Sequence, residues 1–164
     1  MQAEGYKAIY EEIRRQRPRA GFALAWCLNE PWPTAANNCI IAWPHRPKPA
    51  FHAVRAACRP SLLSAKIPRF TWRPGEIFEA DLWLLSDAPL DIEPLSMRAW
   101  IEIADRRIDL GSWRFERTPA NENRAGPTVR ALLPDARADK LVVRLRSDQH
   151  PELDSEYVLQ FRRG

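Results

Sequence analysis

The sequence is poor in cysteine, histidine and glycine, and these shortages exclude several classes of protein. Its 164 residues include 3 cysteines, 3 histidines and 6 glycines. An odd number of widely spaced cysteines does not build the disulfide framework of a small secreted domain. Neither Cys-x-x-Cys nor His-x-x-x-His spacing occurs, so the sequence predicts no zinc site, and it predicts no cofactor.

The chain also lacks a long hydrophobic run. Its first residues, Met1 to Gly5, have neither a basic region nor an apolar core of the signal-peptide kind, and prolines and asparagines interrupt the longest uncharged stretches. We therefore expect a soluble protein with no membrane partner and no signal peptide in this chain. If the chain is a piece of a longer protein, the parent's leader would not be visible, and bacterial cytoplasm and periplasm both stay open for that parent.

The composition indicates an ordinary globular protein. Hydrophobic residues make up 45% of the chain, enough for a core, and the length suits one domain or a small domain with an appendage. The net charge of +4 comes from 25 basic and 21 acidic residues that are interleaved along the chain. Such mixing does not favour a nucleic-acid surface, and no nucleic-acid partner is predicted.

The first third of the chain predicts a helix, a strand and a second helix. Apolar residues recur with helical spacing over residues 4–17, at Tyr6, Ile9, Tyr10 and Ile13, and the charged residues opposite them are expected to face solvent. The apolar run from Gly21 to Leu28 is typical of a buried parallel strand, in which Cys27 would act as a small core residue. A second helix is expected from Ala50 to Cys58, with Val54, Ala57 and Cys58 on its inner face.

From Ser64 onward the pattern changes to short alternating strands separated by turn residues. Phe78, Ala80, Leu82 and Leu84 alternate with polar or aromatic neighbours, as do Met97, Ala99, Ile101 and Ile103. Further strands are expected at 128–133, 141–145 and 157–161. Six or seven short antiparallel strands in about 100 residues predict an immunoglobulin-like sandwich. Trp72 and Trp83 are expected to pack in its core or against a neighbouring domain.

The predicted strand runs into a cluster of residues suited to carbohydrate. Trp26, Asn29, Glu30 and Trp32 occur within seven positions, and Pro31 and Pro33 stop the strand. Indole faces stack on sugar rings, and an Asn beside a Glu can donate to and accept from hydroxyl groups.

The residues from Trp26 to Pro33 resemble a motif of glycoside hydrolase family 2, and especially of its beta-mannosidase and exo-glucosaminidase branches. In that family the last strand of the (β/α)8 barrel carries Trp-x-Leu-Asn-Asp/Asn-x-Trp-Pro, followed by a Lys-Pro-Ala helix start and a sandwich. Here the helix start reads Pro47 to Val54, and Arg59-Pro60 follows. Glu30 departs from the pattern, because Asp or Asn is usual there.

The resemblance implies a mostly β fold with a short α/β lead-in: residues 1–60 as a helix-strand-helix fragment of a TIM barrel, and residues 61–164 as an immunoglobulin-like antiparallel β-sandwich. A full barrel takes about 250 residues, so an upstream barrel domain would be the partner. The substrate of the intact parent would be a β-glycoside. Trp26 would be a platform beside the sugar, Asn29 and Glu30 hydroxyl contacts, and Trp32 a rim aromatic.

The same resemblance implies that no catalytic residue lies in this chain. The two catalytic glutamates of the family lie on earlier strands, upstream of the motif. Whether the chain is an enzyme by itself is therefore uncertain, although the parent would be a glycoside hydrolase, and we expect no turnover from the isolated chain. A strand without its barrel neighbours would pair with another copy, add to the sandwich or lose order.

Two other functions are considered. The first is a non-catalytic carbohydrate-binding or domain-docking sandwich, for which exposed coplanar indoles among Trp72, Trp83, Trp100 and Trp113 would be evidence. The second is a self-sufficient hydrolase that uses Glu30 with His45 or His52. No oriented triad is visible for the second.

Overall fold

The computed structural model of the chain describes residues 2–162, which form two compact units: the first ends at Arg59 and the second begins at Pro60. The first unit contains helix α1 (Gln2–Arg15), a two-stranded antiparallel hairpin of β1 (Ile41–Ala42) and β2 (Arg46–Pro47), and helix α2 (Pro49–Ala57). The two helices pack on each other. Pro49 opens α2, where its missing N–H leaves no bond unmade.

The buried face of α1 is not the face that its sequence predicts. The helical periodicity is confirmed, but Lys7, Glu11 and Arg14 are buried, whereas Ile9 is 54% exposed. The prediction that the charged face is solvated is therefore wrong. The spacing of Lys7, Glu11 and Arg14 places them in one row along the helix, so they enter the interior as a set.

The buried charges of α1 are tolerated because each has a partner. The ammonium of Lys7 lies 4.0 Å from a Glu11 carboxylate oxygen. The guanidinium of Arg14 donates to the carbonyl of Ala57 at 2.6 Å and to that of Arg59 at 2.8 Å. These carbonyls stand at the C-terminal end of α2, which lacks helical partners and favours a positive charge.

The inner face predicted for α2 is only partly correct. Ala50 and Ala57 are buried and Val54 is half-buried, but Cys58 is exposed just beyond the helix end.

The second unit is a sandwich of two sheets. A three-stranded sheet has the order β3-β5-β8 and a five-stranded sheet has the order β4-β10-β9-β6-β7. All pairs are antiparallel except β4 with β10. The strand bounds are β3 Ser61–Lys66, β4 Thr71–Trp72, β5 Ile77–Ser86, β6 Leu95–Ile103, β7 Arg106–Phe115, β8 Arg124–Leu132, β9 Lys140–Arg146 and β10 Ser155–Phe161, and a 3₁₀ turn, Pro151–Leu153, precedes β10.

The alternating residues predicted for β5 and β6 do fill the sandwich core. Phe78, Ala80, Leu82 and Leu84 are buried from β5, and Met97, Ala99, Ile101 and Ile103 from β6. Trp72 is buried among them, and its ring centroid lies 4.9 Å from that of Phe78. Strand β7 has no counterpart in the sequence-based prediction, because it is an edge strand with one buried residue, Phe115, and an irregularity near Gly111.

Among residues 2–162, no helix is both long and apolar enough to cross a bilayer.

A tyrosine ties the two sheets of the sandwich together. The hydroxyl oxygen of Tyr157, on β10, accepts a hydrogen bond from the backbone N–H of Ala65, on β3, at 2.8 Å. Both residues are buried. The bond therefore satisfies a donor that water does not reach.

We predict that Tyr157→Phe lowers the free energy of unfolding by about 1–3 kcal/mol, because the Ala65 N–H is left in the interior without this acceptor. Urea denaturation of the chain measures the change. Val158→Thr, at the next residue and on the opposite, partly exposed side of the strand, is the control and should alter stability by about 0.5 kcal/mol or less. Equal stability of Tyr157→Phe and the unmodified chain would show that the bond is not formed in solution.

Candidate functional site

The predicted buried strand at residues 21–28 is not observed. The segment has no regular secondary structure and is largely exposed, and the backbone of residues 21–27 makes no backbone hydrogen bond within the part of the chain that the structure describes. Its large side chains are open to solvent, at Phe22, Leu24, Trp26 and Leu28. Cys27 is exposed as well, contrary to its predicted place in a core. An apolar run predicts burial, but no strand among residues 2–162 pairs with residues 21–27.

Backbone hydrogen bonding resumes where the segment ends. The carbonyl of Leu28 accepts hydrogen bonds from the N–H groups of Ile40 and Ile41, each at 3.1 Å, and the N–H of Glu30 donates to the carbonyl of Ile41 at 3.0 Å. Asn29 and Ile41 form a parallel bridge between these two stretches. The residues after the apolar run are thus fixed to the start of the β1–β2 hairpin.

Glu30 is the buried residue at this contact between residues 28–30 and the hairpin. Its side chain is 7% exposed, and one carboxylate oxygen lies 2.6 Å from the ammonium of Lys48. The other oxygen accepts a hydrogen bond from the backbone N–H of Trp43 at 3.0 Å. The hydrogen bond from Lys48 and then that from the Trp43 N–H hold the pKa of the Glu30 carboxyl below its usual value, against the opposing effect of burial.

Asn37 connects Lys48 to the loop that precedes the hairpin. Its side-chain oxygen accepts from the N–H of Cys39 at 2.8 Å and lies 3.5 Å from the ammonium of Lys48. Its amide nitrogen donates to the Thr34 hydroxyl at 2.5 Å. The loop between the two prolines of the motif and α2 is therefore held by polar contacts on a buried ion pair.

The remaining predicted site residues lie on the surface around that pair. Trp26 is 84% exposed and Trp32 is 64% exposed. Asn29 is also exposed, and its amide makes only a long contact, 3.5 Å, with the carbonyl of Glu30. The predicted set therefore divides into three exposed residues and one buried carboxylate.

Two residues of the hairpin tip join the same region. Trp43, 44% exposed, follows β1, and its ring centroid lies 6.5 Å from that of His45. His45 has a φ angle of +152°, which is unusual for a residue with a side chain. Sequence analysis assigned no role to Trp43 or Asn37, suggested His45 only as a partner of Glu30 in a self-sufficient hydrolase, and placed Lys48 within the helix start from Pro47 to Val54. That helix start was the signal that could have indicated the pair with Glu30.

Glu30 has basic and amide partners and no second carboxylate beside it within residues 2–162. A retaining glycosidase needs two carboxyl groups about 5–5.5 Å apart. The groups that contact the Glu30 carboxylate belong to Lys48, Trp43 and Asn37, and neither His45 nor His52 is among them. No group of three or more His, Cys, Asp and Glu side chains comes together as metal ligands within residues 2–162.

The sandwich does not present a row of exposed indoles. Trp72 is buried, Trp83 is partly buried, and the Arg107 guanidinium covers the partly buried Trp100 ring at 4.0 Å. Trp113 is the one sandwich indole that is 40% exposed. This distribution favours a scaffold over a carbohydrate-binding sheet face.

Curated relatives of the chain are beta-mannosidases. Beta-mannosidase B of Aspergillus fumigatus is 30% identical over 66% of this chain and 14% of the relative, and beta-mannosidase B of Emericella nidulans is 33% identical over 52% of this chain and 11% of the relative. The chain thus spans about one seventh or less of the length of these relatives. No protein-family model matches it.

Solved structures share the fold over nearly the whole chain. The exo-chitosanase of Amycolatopsis orientalis matches 97% of this chain, with a TM-score of 0.71 at 14% identity, and the chain covers 18% of it. The beta-D-mannosidase of Dictyoglomus thermophilum matches 94%, with a TM-score of 0.67 at 18% identity, and 18% of it is covered. The predicted fold class, a mostly β chain with a sandwich and an α/β lead-in, is confirmed.

The lowered pKa of Glu30 predicts an acid transition in the loop. A carboxyl whose pKa is lower in the folded state stabilises that state above its unfolded pKa, and this stability is lost as the pH falls through the folded value. We expect the amide proton shift of Trp43 to titrate with a midpoint below about 4.3, the usual glutamate value. The measurement is an NMR titration from neutral to acid pH.

In this titration, Glu30→Gln should remove the step, whereas Glu116→Gln, at an exposed carboxylate of the sandwich, should leave it unchanged. A midpoint at or above the usual glutamate value would contradict the ion pair.

Proposed function

Over the region that the beta-mannosidases match, this chain is a glycoside hydrolase family 2-like protein, and from this we propose its function. The chain is the C-terminal part of a hydrolase that acts on β-glycosides. Residues 1–60 are the last helix-strand-helix piece of its (β/α)8 barrel, and residues 61–164 are a sandwich that serves as a scaffold.

The state of residues 21–27 supports an upstream partner. Their backbone N–H and C=O groups lack backbone partners within residues 2–162, and their apolar side chains are exposed. Backbone groups of a protein interior are nearly always paired. Strands of an upstream barrel domain would pair with this segment on both edges and cover its faces, as is usual for a parallel sheet. Self-association through the same edges is the alternative.

The placement of Trp26, Asn29 and Trp32 is the observation that carries the sugar-binding role. Along the chain, two exposed indoles flank an exposed amide at the point where a segment without backbone hydrogen bonds meets a hydrogen-bonded loop. An indole face covers the apolar face of a sugar ring, and an amide can both donate to and accept from hydroxyl groups. Trp26 is the platform, Asn29 the hydroxyl contact and Trp32 the rim aromatic.

Glu30 belongs to the site as the residue that holds the loop. Sequence analysis gave it a hydroxyl contact, but both of its carboxylate oxygens are already engaged, by Lys48 and by the Trp43 N–H. A carboxylate paired in this way is not available for the ammonium group of an amino sugar. We therefore favour a neutral β-linked hexose, such as a β-mannoside, as the ligand of this part of the site.

An NMR titration with methyl β-mannoside tests the proposal. The indole N–H signals of Trp26 and Trp32 and the side-chain amide of Asn29 should shift saturably, with a dissociation constant on the order of millimolar, which corresponds to about −4 kcal/mol. The signals of the buried Trp72 should not move.

Asn29→Ala should weaken this binding, whereas Trp113→Ala, which removes an exposed indole of the sandwich, should not change it. If none of the indole signals responds, or if only Trp113 responds, residues 26–32 do not face a sugar.

A further inference from the structure

We infer that Trp43, at the tip of the β1–β2 hairpin, is a further sugar-contacting residue, which stacks on the ring next to the one that Trp26 and Asn29 meet. The ligand would be a β-linked disaccharide of neutral hexoses, or the same linkage within a longer chain. This inference rests on the proposed function. It adds that the sugar-binding site holds two neighbouring sugar rings and not one.

The backbone of Trp43 is fixed by a hydrogen bond, while its side chain remains partly exposed to solvent. Its N–H is bonded to the buried Glu30 carboxylate, and that carboxylate is fixed in turn by Lys48. Its indole is nonetheless 44% exposed, although a tryptophan normally gains stability by burial. A fixed backbone under an exposed ring is the arrangement of a binding platform, because little ordering remains to be done when a ligand stacks.

The turn also restricts the backbone on either side of Trp43. Pro44 has a fixed φ angle, which limits the hairpin tip. His45 holds a positive φ of +152° and places its ring beside that of Trp43. Residues held in unfavourable backbone regions gather at ligand sites, where the surrounding structure maintains them. The N–H of His45 closes the turn on the carbonyl of Ala42 at 2.9 Å.

The register places Trp43 next to the predicted site and displaces it along the chain. Asn29 lies opposite Ile41 in a parallel bridge, so the two stretches run in the same direction from that point. Trp43 lies two residues beyond Ile41, in the turn formed by residues 43–45, so the two Cα atoms are at most about 7 Å apart. A distance of this size is comparable with the span of one pyranose ring. Trp32, on the neighbouring stretch, is also exposed.

The test compares methyl β-mannoside with β-1,4-mannobiose, using the full chain and its indole N–H signals. We expect the Trp43 indole to respond to the disaccharide and not to the monosaccharide. Trp43→Ala should weaken disaccharide binding roughly fivefold and leave monosaccharide binding unchanged, since a single aromatic contact contributes on this scale. Trp43→Phe should restore part of the difference, because it retains a stacking face.

The outcomes separate this inference from the function on which it rests. If Trp26 and Asn29 respond to both sugars while Trp43 responds to neither, the inference is overturned and the proposed function stands. If Trp43→Ala weakens binding of both sugars equally, Trp43 does not meet the second ring, and the inference is overturned. If no signal of residues 26–43 responds to either sugar, both are overturned.

Discussion

The ion pair between Glu30 and Lys48 is the interaction on which the ordered part of the first unit's loop depends. A carboxylate that is almost wholly buried is stable only when its charge and its lone pairs are satisfied. Lys48 supplies the opposite charge, and the Trp43 N–H supplies a second donor. One partner lies at the tip of the hairpin and the other directly follows β2. The Glu30 side chain therefore fixes the hairpin to the residues that follow the apolar segment. The positions of Asn29 and Trp43 both follow from that attachment.

Residues 28–30 and the apolar segment before them differ in their backbone hydrogen bonding. Residues 28–30 find backbone partners at 40 and 41, whereas residues 21–27 find none within the described chain. The apolar composition of the segment suits a sheet covered on both faces. The exposed Ile9 on α1 follows the same logic, since its helix buries a charged row. Both features fit the proposal that strands of an upstream barrel domain complete this unit.

Much of the sandwich could be predicted from the sequence because its strands alternate with a period of two. Met97 and Ile101 are examples, and both are buried. Edge strand β7 could not be found in this way, since only Phe115 of its residues is buried and the strand shows no clear alternation of buried and exposed positions. Helical spacing located α1 but gave the wrong buried face, because periodicity does not show that Arg14 reaches the carbonyls at the end of α2. In the site, the motif located the exposed residues, but the role of Glu30 depends on partners distant in the sequence.

We propose that residues 26–32 face a sugar, and within residues 2–162 no second carboxylate is among the partners of Glu30. Hydrolysis of aryl β-mannoside, β-glucosaminide, β-glucuronide and β-galactoside by the purified chain tests it most directly, with Glu30→Gln measured in parallel. The account predicts no release above the blank for either protein, because Glu30 is engaged by Lys48 and no second carboxylate accompanies it. Release by the unmodified chain that disappears in Glu30→Gln would contradict the account and make Glu30 a catalytic residue.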